Sequence, residues 1–370
     1  MRTPGRSAFY PSSKRQRPPS GAIGRGREAV GSGEAPCFVW RDGVHVPGTV
    51  LWCDARRAHS LCFLSHAGRR FGSRRCQILC TDITLRILQL LSPTRPDEVL
   101  PCPCGRPFSL GNLRLELFPS GYLPGAASLL ITLPDGRRLV YAGDLNPQAG
   151  PGCAPMQVRG AVALACHAPL CALGRSLPDR AEATAALSAH LEAARGAGVA
   201  VVLAAEVGPA QDVLDVLLRF GLQVQVHPRI YRLLAAFTEP GAALPAGARP
   251  LRPPVRAGDV VLWPLERPLA PLVPAAGATR LVPLLCTGAA LSAEWTGRYA
   301  RAMSGTMPPI PIPFPDGIDL PGLLTYVRAT EAREVYLTAG MGPVVEQALG
   351  RMGVRLHALV PPQQLDLFAA

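Results

Sequence analysis

Residues 117–147 read LFPSGYLPGAASLLITLPDGRRLVYAGDLNP, and this stretch decides how the chain is organised. Residues 129–133 form one run of mostly apolar side chains, and residues 139–141 form a second. Pro134, Asp135 and Gly136 stand between the two runs, and residues of these types favour a tight turn. The pattern therefore predicts a buried β-hairpin.

The flanks of this hairpin carry polar groups where its strands end. A glycine-rich turn, residues 120–127, precedes the first strand, and Ala142-Gly143-Asp144 closes the second. Loops at strand ends commonly hold binding and catalytic groups, because a rigid sheet positions them. Asp144 is therefore the first candidate site residue.

The whole chain has 370 residues, of which 48% are hydrophobic, enough for two domains or for one large fold with an insertion. No run of about 18 apolar residues occurs, and the first residues lack the apolar segment of a signal peptide. We expect a globular, cytoplasmic protein without a membrane partner.

Eleven cysteines are an odd number for a set of disulfides, and they lie in apolar surroundings. We expect most of them to be buried thiols. Cys76/Cys80 and Cys102/Cys104 lack the two-residue spacing that is typical of zinc knuckles. This spacing argues against a four-thiolate zinc site.

The formal net charge of +12 makes nucleic acid, DNA or RNA, the first partner to consider. Residues 1–35 are basic and rich in Pro, Gly and Ser, and we expect them to form a disordered arm. Lys14, Arg15 and Arg17 are its candidate nucleic-acid contacts. Two interpretations stay open: a tail that binds phosphates, or an extension without function.

The remaining pattern mixes strands and helices. Short β-rich pieces precede a helix that begins at Thr81 or Asp82. Residues 92–112 are rich in Pro and Cys, which predicts an irregular connection. Residues 178–237 alternate between helices and buried strands, and the β-rich core resumes near residue 280.

Two segments resemble motifs of a known family. The loop Ser65-His66-Ala67-Gly68-Arg69-Arg70-Phe71 and the corner Tyr141-Ala142-Gly143-Asp144 are similar to motifs of the metallo-β-lactamase-fold nucleases of the β-CASP group. In that family a Thr-His-x-His-x-Asp-His loop and the Asp of Tyr-x-Gly-Asp bind metal ions. The resemblance implies that His66 and Asp144 are remnant metal-binding positions.

Later segments fit the same family in chain order. Pro315-Asp316-Gly317-Ile318-Asp319 resembles its Ser-Asp-His-Ala-Asp step, and Thr338-Ala339-Gly340 resembles its Thr-His-Gly step. Asp316 and Asp319 are therefore further remnant positions. Other metal-binding or catalytic positions of the family hold side chains without a suitable donor: Gly68, Arg70, Phe71, Tyr122, Gly317 and Ala339.

Two more segments resemble the cap domain of bacterial ligase-associated DNA exonucleases. These are Gly208-Pro209-Ala210-Gln211 and Val226-His227-Pro228. The resemblance implies that Gln211 and His227 bind nucleic acid, in the way that helix N-termini bind phosphate. The alternative for each is an ordinary polar residue at the start of a helix.

The resemblance covers about residues 38–360 and implies an α/β fold, a metallo-β-lactamase αββα sandwich with an inserted β-CASP α/β cap domain. The expected parts are a basic arm, the first part of the core, the cap insertion, the second part of the core and a tail, at residues 1–35, 36–177, 178–275, 276–360 and 361–370.

The losses at metal positions predict a noncatalytic homologue of a β-CASP DNA exonuclease, without a cofactor. It would be a DNA-repair accessory that binds nucleic acid or proteins such as DNA ligase. The alternative is a phosphodiester hydrolase with a reduced site, in which His66 and Asp144, with Asp316 or His167, hold one zinc or manganese ion. A third interpretation is an RNA-processing homologue, similar to an mRNA 3′-end processing factor.

The tail reads PPQQLDLFAA from residue 361, and its two prolines predict a free peptide. Within it, the segment Gln364-Leu365-Asp366-Leu367-Phe368 resembles the pentapeptide by which many bacterial polymerases and repair proteins bind the replicative sliding clamp. Leu365, Leu367 and Phe368 would fill an apolar groove on that clamp. The alternative is a tail that packs on its own domain.

Overall fold

A computed structural model describes residues 35–57, 59–68, 77–91, 98–238, 243–277, 279–302 and 308–360. In these ranges the strands and helices, numbered in chain order, form three β-sheets with helices packed on them. Several predicted sites lie outside the described residues: Lys14, Arg15, Arg17, Arg70, Phe71, Cys76, Gln364, Leu365, Asp366, Leu367 and Phe368.

The first sheet has six strands that lie side by side in chain order. They are β1 (Val39–Trp40), β2 (Val44–His45), β3 (Leu51–Cys53), β4 (Leu61–Phe63), β5 (Gln77–Cys80) and β6 (Glu98–Pro101). Helix α1 (Asp82–Leu91) covers its outer face, where Leu85 and Leu88 pack against a buried cluster that includes Ile78.

Two threonines attach α1 to the glycine-rich turn. Thr81 Oγ1 accepts a hydrogen bond from the backbone N–H of Thr84 at 3.2 Å, as an N-terminal cap does. The two hydroxyls donate to the carbonyl oxygen of Gly125, at 2.5 Å and 3.0 Å. The N-terminus of α1 therefore fixes the glycine-rich turn that precedes the hairpin.

The second sheet has seven strands and contains the central hairpin. They are β7 (Phe108–Leu110), β8 (Leu113–Pro119), β9 (Ala127–Thr132), β10 (Arg138–Asp144), β11 (Ala163–His167), β18 (Glu334–Ala339) and β19 (Arg355–Ala358), in the spatial order β19-β18-β11-β10-β9-β8-β7. Pairing is antiparallel from β7 to β10 and parallel from β10 to β19. The predicted hairpin is confirmed, because Thr132 pairs with Arg138 and Leu129 pairs with Tyr141.

The hairpin side chains alternate between two cores, as the geometry of a strand requires. Ile131 shares a buried cluster with Phe63 of the first sheet, so the two sheets pack face to face. Leu130 lies on the opposite face, in a cluster with residues of α7 (Leu320–Thr330) and α8 (Pro343–Arg351). Helices therefore cover the outer faces of both sheets.

The chain between β11 and β18 forms a third, six-stranded sheet. Its strands are β12 (Val199–Ala204), β13 (Val224–Val226), β14 (Ala248–Pro250), β15 (Val260–Pro264), β16 (Leu281–Cys286) and β17 (Ile310–Ile312), all paired in parallel in the order β14-β13-β15-β12-β16-β17. Every residue of β12 is buried, which is typical of a parallel strand covered on both faces.

Helices cover both faces of this third sheet. On one face lie α2 (Arg180–Ala197), α3 (Pro209–Arg219) and α4 (Pro228–Phe237), and on the other lie α5 (Val273–Ala276) and α6 (Ala293–Ala302). Short 3-10 helices follow β11 at Pro169–Leu173 and β16 at Gly288–Leu291. No helix in the described ranges is both long and apolar enough to cross a bilayer.

The predicted α/β class is confirmed, whereas some segments differ from expectation. Residues 92–112, predicted to be irregular, contain β6 and β7. Strand β16, which the expected boundary at residues 275/276 placed in the core, pairs with β12 of the third sheet. An apolar run predicts a buried strand but not its partner, because pairing depends on residues distant in sequence.

Candidate functional site

Two of the predicted site residues contact each other at the end of the central hairpin. His66 lies in the loop after β4, and Asp144 is the last residue of β10. Nε2 of His66 lies 2.9 Å from Oδ2 of Asp144, and the two side chains are only 7% and 13% exposed. A hydrogen bond between such buried groups is stronger than one in water.

Both ring nitrogens of His66 take part in hydrogen bonds. The backbone N–H of Gly68 lies 3.1 Å from Nδ1. Because an N–H group can only donate, Nδ1 is the acceptor, and the proton of the neutral ring lies on Nε2 and points to Asp144. In this state the imidazole has no free lone pair for a cation.

The neighbours of His66 close around its ring. A Cβ added at Gly68 would lie 2.9 Å from Cε1 and Nδ1 of His66, so a larger residue here would require the His66 ring to move. Tyr122 packs edge-to-face against the same ring, with centroids 5.0 Å apart. Gly68 and Tyr122, two of the positions without a suitable metal donor, therefore enclose the His66 ring.

Asp54, which the sequence analysis did not single out, holds the loop of His66. Its Oδ1 accepts a hydrogen bond from the backbone N–H of Ser65 at 2.9 Å. Its Oδ2 accepts from the Ser65 hydroxyl at 2.6 Å and from the Tyr141 hydroxyl at 2.7 Å. A buried tyrosine hydroxyl needs an acceptor, but the sequence does not indicate which residue supplies it.

Gly143 lets the hairpin approach this loop. Its φ is +63°, a conformation that favours glycine, and a Cβ there would lie 2.7 Å from Cβ of Ser65. The register between β10 and β11 also shifts between Tyr141 and Gly143. The motif that ends in Asp144 therefore uses its Tyr and its Gly to fix the place of the His66 loop.

His167, the last residue of β11, lies on the other side of Asp144. Parallel pairing of β10 and β11 sets Asp144 opposite His167. Nε2 of His167 lies 4.0 Å from Oδ1 of Asp144, and Nδ1 lies 2.9 Å from the Thr338 hydroxyl of β18. The Asp144 carboxylate thus stands between two imidazoles.

The carboxylates at the other two remnant positions, Asp316 and Asp319, accept hydrogen bonds from backbone N–H groups. Asp319 caps the N-terminus of α7, and its carboxylate accepts from the N–H groups of Gly322 at 2.8 Å and Leu177 at 2.9 Å. Oδ1 of Asp316 accepts from the N–H of Gly288 at 2.8 Å. Burial raises the pKa of Asp316 to about 6.

Two cavities lie beside these residues. The smaller is lined by Tyr122, Asp144, Leu145, His167, Pro169, Leu170, Asp316, Gly317 and Ile318. The larger has a volume of about 250 Å³ and extends from Tyr122 and Asp316 to side chains of α3 and α4. Asp144, His167 and Asp316 are therefore brought to one region, whereas Asp319 does not line either cavity.

Gln211 and His227 lie at the starts of α3 and α4, where the strands of the third sheet end. Gln211 Oε1 accepts from the N–H of Gly208 at 2.7 Å, and its Nε2 donates to the carbonyl of Glu206 at 3.2 Å. His227 Nδ1 accepts from the N–H of Arg229 at 3.2 Å. Both side chains thus cap their helices, and Gln211 also lines the larger cavity.

Two glutamates lie at the same edge of the third sheet. The Arg229 guanidinium Nε lies 2.9 Å and 2.8 Å from the two carboxylate oxygens of Glu206. The N–H of Glu206 donates to Oε2 of Glu266 at 3.2 Å. Burial raises the pKa of Glu266 to about 7, and the neighbouring Glu206 carboxylate acts in the same direction.

The donor set around His66 does not fit the two-metal centre of the family that the chain resembles. Within the described ranges, no group of three or more His, Cys, Asp or Glu side chains is placed to hold a metal ion. Most of the described cysteines are buried, and burial raises the pKa of Cys166, next to His167, to about 12.

Comparisons with known proteins give two distant relatives. No family model matches the chain. It is 24% identical over 328 residues to a probable DNA ligase of Opitutus terrae, an alignment that covers 88% of this chain and 31% of that protein. It is 36% identical over 116 residues to an uncharacterized protein of Synechocystis sp., covering 26% of this chain and 19% of that protein. The chain therefore spans less than a third of the length of each of these relatives.

Proposed function

We propose that this chain is a noncatalytic, metal-ligand-depleted homologue of the β-CASP DNA exonucleases, and that it acts as a nucleic-acid-binding accessory in DNA repair. The observation that carries the proposal is the His66 ring, whose Nδ1 accepts from Gly68 and whose Nε2 donates to Asp144. An imidazole that ligates a metal needs a lone pair on one nitrogen. His66 lacks one in this arrangement.

The arrangement of the sheets supports the family assignment within this proposal. The two packed sheets with outer helices correspond to an αββα sandwich, and the third sheet, inserted between β11 and β18, corresponds to a β-CASP cap. The pairing of β16 and β17 with the third sheet favours a cap that extends to about residue 312. The similarity to a probable DNA ligase suggests a DNA-related function. DNA ligase and other repair proteins are candidate partners within the proposal.

A second candidate function is a metal-dependent phosphodiester hydrolase, either a DNA exonuclease or an RNA-processing nuclease. The observation that favours it is the convergence of His66, Asp144 and His167, with Asp316 on the same cavity. For His66 and Asp144 to hold zinc or manganese, the hydrogen bond between them would have to break. A bound metal would supply an activated water for hydrolysis.

Metal content and nuclease activity discriminate between the two candidates. The protein is purified without chelators or added metal, analysed by plasma mass spectrometry, and assayed on labelled DNA and RNA with zinc or manganese added. We expect far less than one metal per chain and no cleavage above background. Stoichiometric metal with cleavage that is lost in His66→Ala, but kept in the exposed control His190→Ala, would establish the hydrolase instead.

Nucleic-acid binding is tested separately, because the accessory function requires it. Fluorescence anisotropy measures binding of full-length protein to labelled single-stranded DNA, duplex DNA and RNA between about 0.05 and 0.2 M salt. We expect binding that weakens steeply with salt and weakens further when residues 1–35, which include Lys14, Arg15 and Arg17, are deleted. No association at the lowest salt would refute the proposal.

We also propose the bacterial sliding clamp as a protein partner. Gln364-Leu365-Asp366-Leu367-Phe368 has three apolar side chains for a groove and an amide for orienting hydrogen bonds. Burying each apolar side chain contributes roughly 1.5–3 kcal/mol, which ordering of the tail offsets in part. A clamp contact would bring the nucleic-acid-binding surfaces of this chain to replicated DNA.

A further inference from the structure

Residues 249–256, RPLRPPVR, connect β14 to β15, and we call them the basic strip. The strip starts within β14 and crosses one face of the third sheet. Near its start, the N–H of Leu251 donates to Val226 O, at the end of β13. Just past it, the N–H of Gly258 donates to Gly198 O, ahead of β12. The strip therefore runs back across the sheet to begin the next parallel strand.

The strip has an apolar side and a basic side. Val255 is 2% exposed and Leu251 is partly buried, and both pack against the cluster formed by this face of the sheet. Arg249, Arg252 and Arg256 are exposed. Since the two apolar side chains anchor the strip, the three guanidinium groups are presented to solvent from a fixed backbone.

Hydrogen bonds and prolines hold this backbone. The N–H of Arg252 donates to Oε1 of Gln225 at 3.2 Å, and the N–H of Arg256 donates to Oδ2 of Asp259 at 2.8 Å. Three of the eight residues are proline, which restricts the backbone further. A ligand that binds the arginines therefore does not have to order the strip, which lowers the entropic cost of binding.

The strip carries more positive than negative charge. Residues 245–259 contain three arginines and one acid, Asp259, whose carboxylate accepts hydrogen bonds from the backbone N–H of Arg256 and the side-chain amide of Gln225. Elsewhere in the described ranges arginines such as Arg57, Arg180 and Arg229 form ion pairs, whereas no ion pair is found there for the three arginines of the strip. Arg195 of α2 adds a further guanidinium at the end of the strip, where its Nε donates to Gly258 O at 3.1 Å.

We propose that the basic strip binds the phosphodiester backbone of a nucleic acid, at a surface separate from the cavities beside Asp144. The inference deepens the proposed function and rests on it. Guanidinium groups bind phosphate in a bidentate manner, and three of them on a rigid segment favour a ligand with successive phosphates. An acidic peptide carries its charges on flexible side chains, which would have to be ordered on binding.

The test compares two triple variants of full-length protein. Arg249→Gln, Arg252→Gln and Arg256→Gln together remove the charge of the strip. Arg114→Gln, Arg138→Gln and Arg351→Gln together remove three exposed arginines from the second sheet and α8. A third variant, Arg249→Lys, Arg252→Lys and Arg256→Lys together, keeps the charge. Binding to a labelled single strand and to its duplex is measured as a function of salt.

Loss of three phosphate contacts lowers the slope of log K against log salt by about 2 for a single strand and about 3 for a duplex. We expect this change, and at least tenfold weaker binding at 0.1 M salt, in the glutamine variant of the strip only. The lysine variant should keep most of the slope.

Equal slopes for the strip and control variants would overturn the strip proposal while leaving nucleic-acid binding intact. If wild-type protein does not bind nucleic acid, both the proposed function and the strip proposal are wrong. If polyglutamate competes as well as nucleic acid of equal charge, the strip is a site for acidic proteins and the proposal is wrong.

Discussion

Asp54 fixes the loop of His66 through three hydrogen bonds, so its removal should destabilise the fold. In Asp54→Ala the N–H and hydroxyl of Ser65 and the hydroxyl of Tyr141 lose their acceptor. Donors left unpaired inside a protein are costly, and we expect the free energy of unfolding to fall by about 2–4 kcal/mol. Urea unfolding followed by circular dichroism measures this change.

Tyr141→Phe is the matched control, because it removes one donor and keeps the carboxylate. We expect it to cost about 0.5–1.5 kcal/mol, the net value of a single hydrogen bond. If Asp54→Ala cost no more than Tyr141→Phe, the interpretation of Asp54 as the acceptor that organises the loop would be wrong.

Glu266 predicts a dependence of stability on pH. Burial raises its pKa from the ordinary 4.5 to about 7, so the folded protein binds a proton that the unfolded chain releases. This contribution to stability is fully present below about pH 4.5 and is lost as the pH rises toward 7. Glu266→Gln keeps an acceptor for the N–H of Glu206 and cannot ionise. We therefore expect it to be more stable than wild type at pH 7.5, by on the order of 1–3 kcal/mol.

Denaturant unfolding at several pH values between 4 and 8 measures this effect. Glu346→Gln, at an exposed position on α8, is the control and should follow the wild-type profile. The same stability difference between Glu266→Gln and wild type at pH 4 and at pH 7.5 would contradict the assignment of the pH dependence to Glu266.

At the level of whole elements, two glycines of the hairpin provide a matched comparison. Gly136 in the turn has φ +83° and open space around it, whereas Gly143 in β10 has φ +63° and lies against Ser65. Alanine at either position is strained by roughly 1–2 kcal/mol. We expect Gly143→Ala to cost a further 1–3 kcal/mol, because its Cβ would lie 2.7 Å from Cβ of Ser65.

Thermal unfolding of the two variants measures this difference. The contact at Ser65 should also displace the His66 loop, which the nitrogen chemical shifts of the His66 ring would report. Equal unfolding temperatures for Gly136→Ala and Gly143→Ala would show that the hairpin and the loop are not packed as described.

The sequence predicted elements whose signal is local, and it missed those that depend on distant partners. The hairpin of β9 and β10 and the strand β12 were predicted from their apolar runs, because a buried strand needs such a run. Strands β6 and β7 are short and none of their residues is buried, so they leave no apolar pattern in the sequence. The sheet that β16 joins is decided by its pairing with β12, which no local pattern encodes.

The site was predicted to a similar extent. His66 and Asp144 were named from motifs, and the structure places them 2.9 Å apart. Asp54 was missed because a single Asp after a short strand has many possible roles, and only the folded chain brings Ser65 and Tyr141 to it. The hydrogen bond from the N–H of Gly68 to Nδ1 of His66 also could not be predicted, because it depends on the conformation of the loop and not on its composition.

At the scale of the whole molecule, the tail predicts a clamp interaction. With Leu367 and Phe368 replaced by Ala, the tail loses two of the three apolar side chains that would enter the groove. We expect full-length protein to bind the bacterial sliding clamp with micromolar affinity, on the order of −8 kcal/mol, and the double variant to show no detectable binding. Isothermal titration calorimetry with purified clamp measures both.

Replacing Gln363 by Ala is the control for this prediction, because residue 363 lies outside the pentapeptide. It should bind as wild type does. Binding by wild type and double variant with the same affinity, or by neither, would show that residues 364–368 do not tether the chain to the clamp.

The place of β18 in the second sheet sets the order of events during synthesis. His167 and Thr338 share a hydrogen bond across β11 and β18, although 171 positions separate them. At about 5–20 residues per second, a ribosome needs roughly 10–30 s to make this intervening chain. During that time β11 is an open strand edge, which other nascent chains can pair with. The third sheet is completed within the same interval, and the hydrogen bond from Leu177 to Asp319 joins the chain on its two sides, so its folding shortens the remaining search. Destabilising substitutions in β12 or α3 should therefore lower the yield of folded protein in cells more than they lower the stability of the molecules that finish folding.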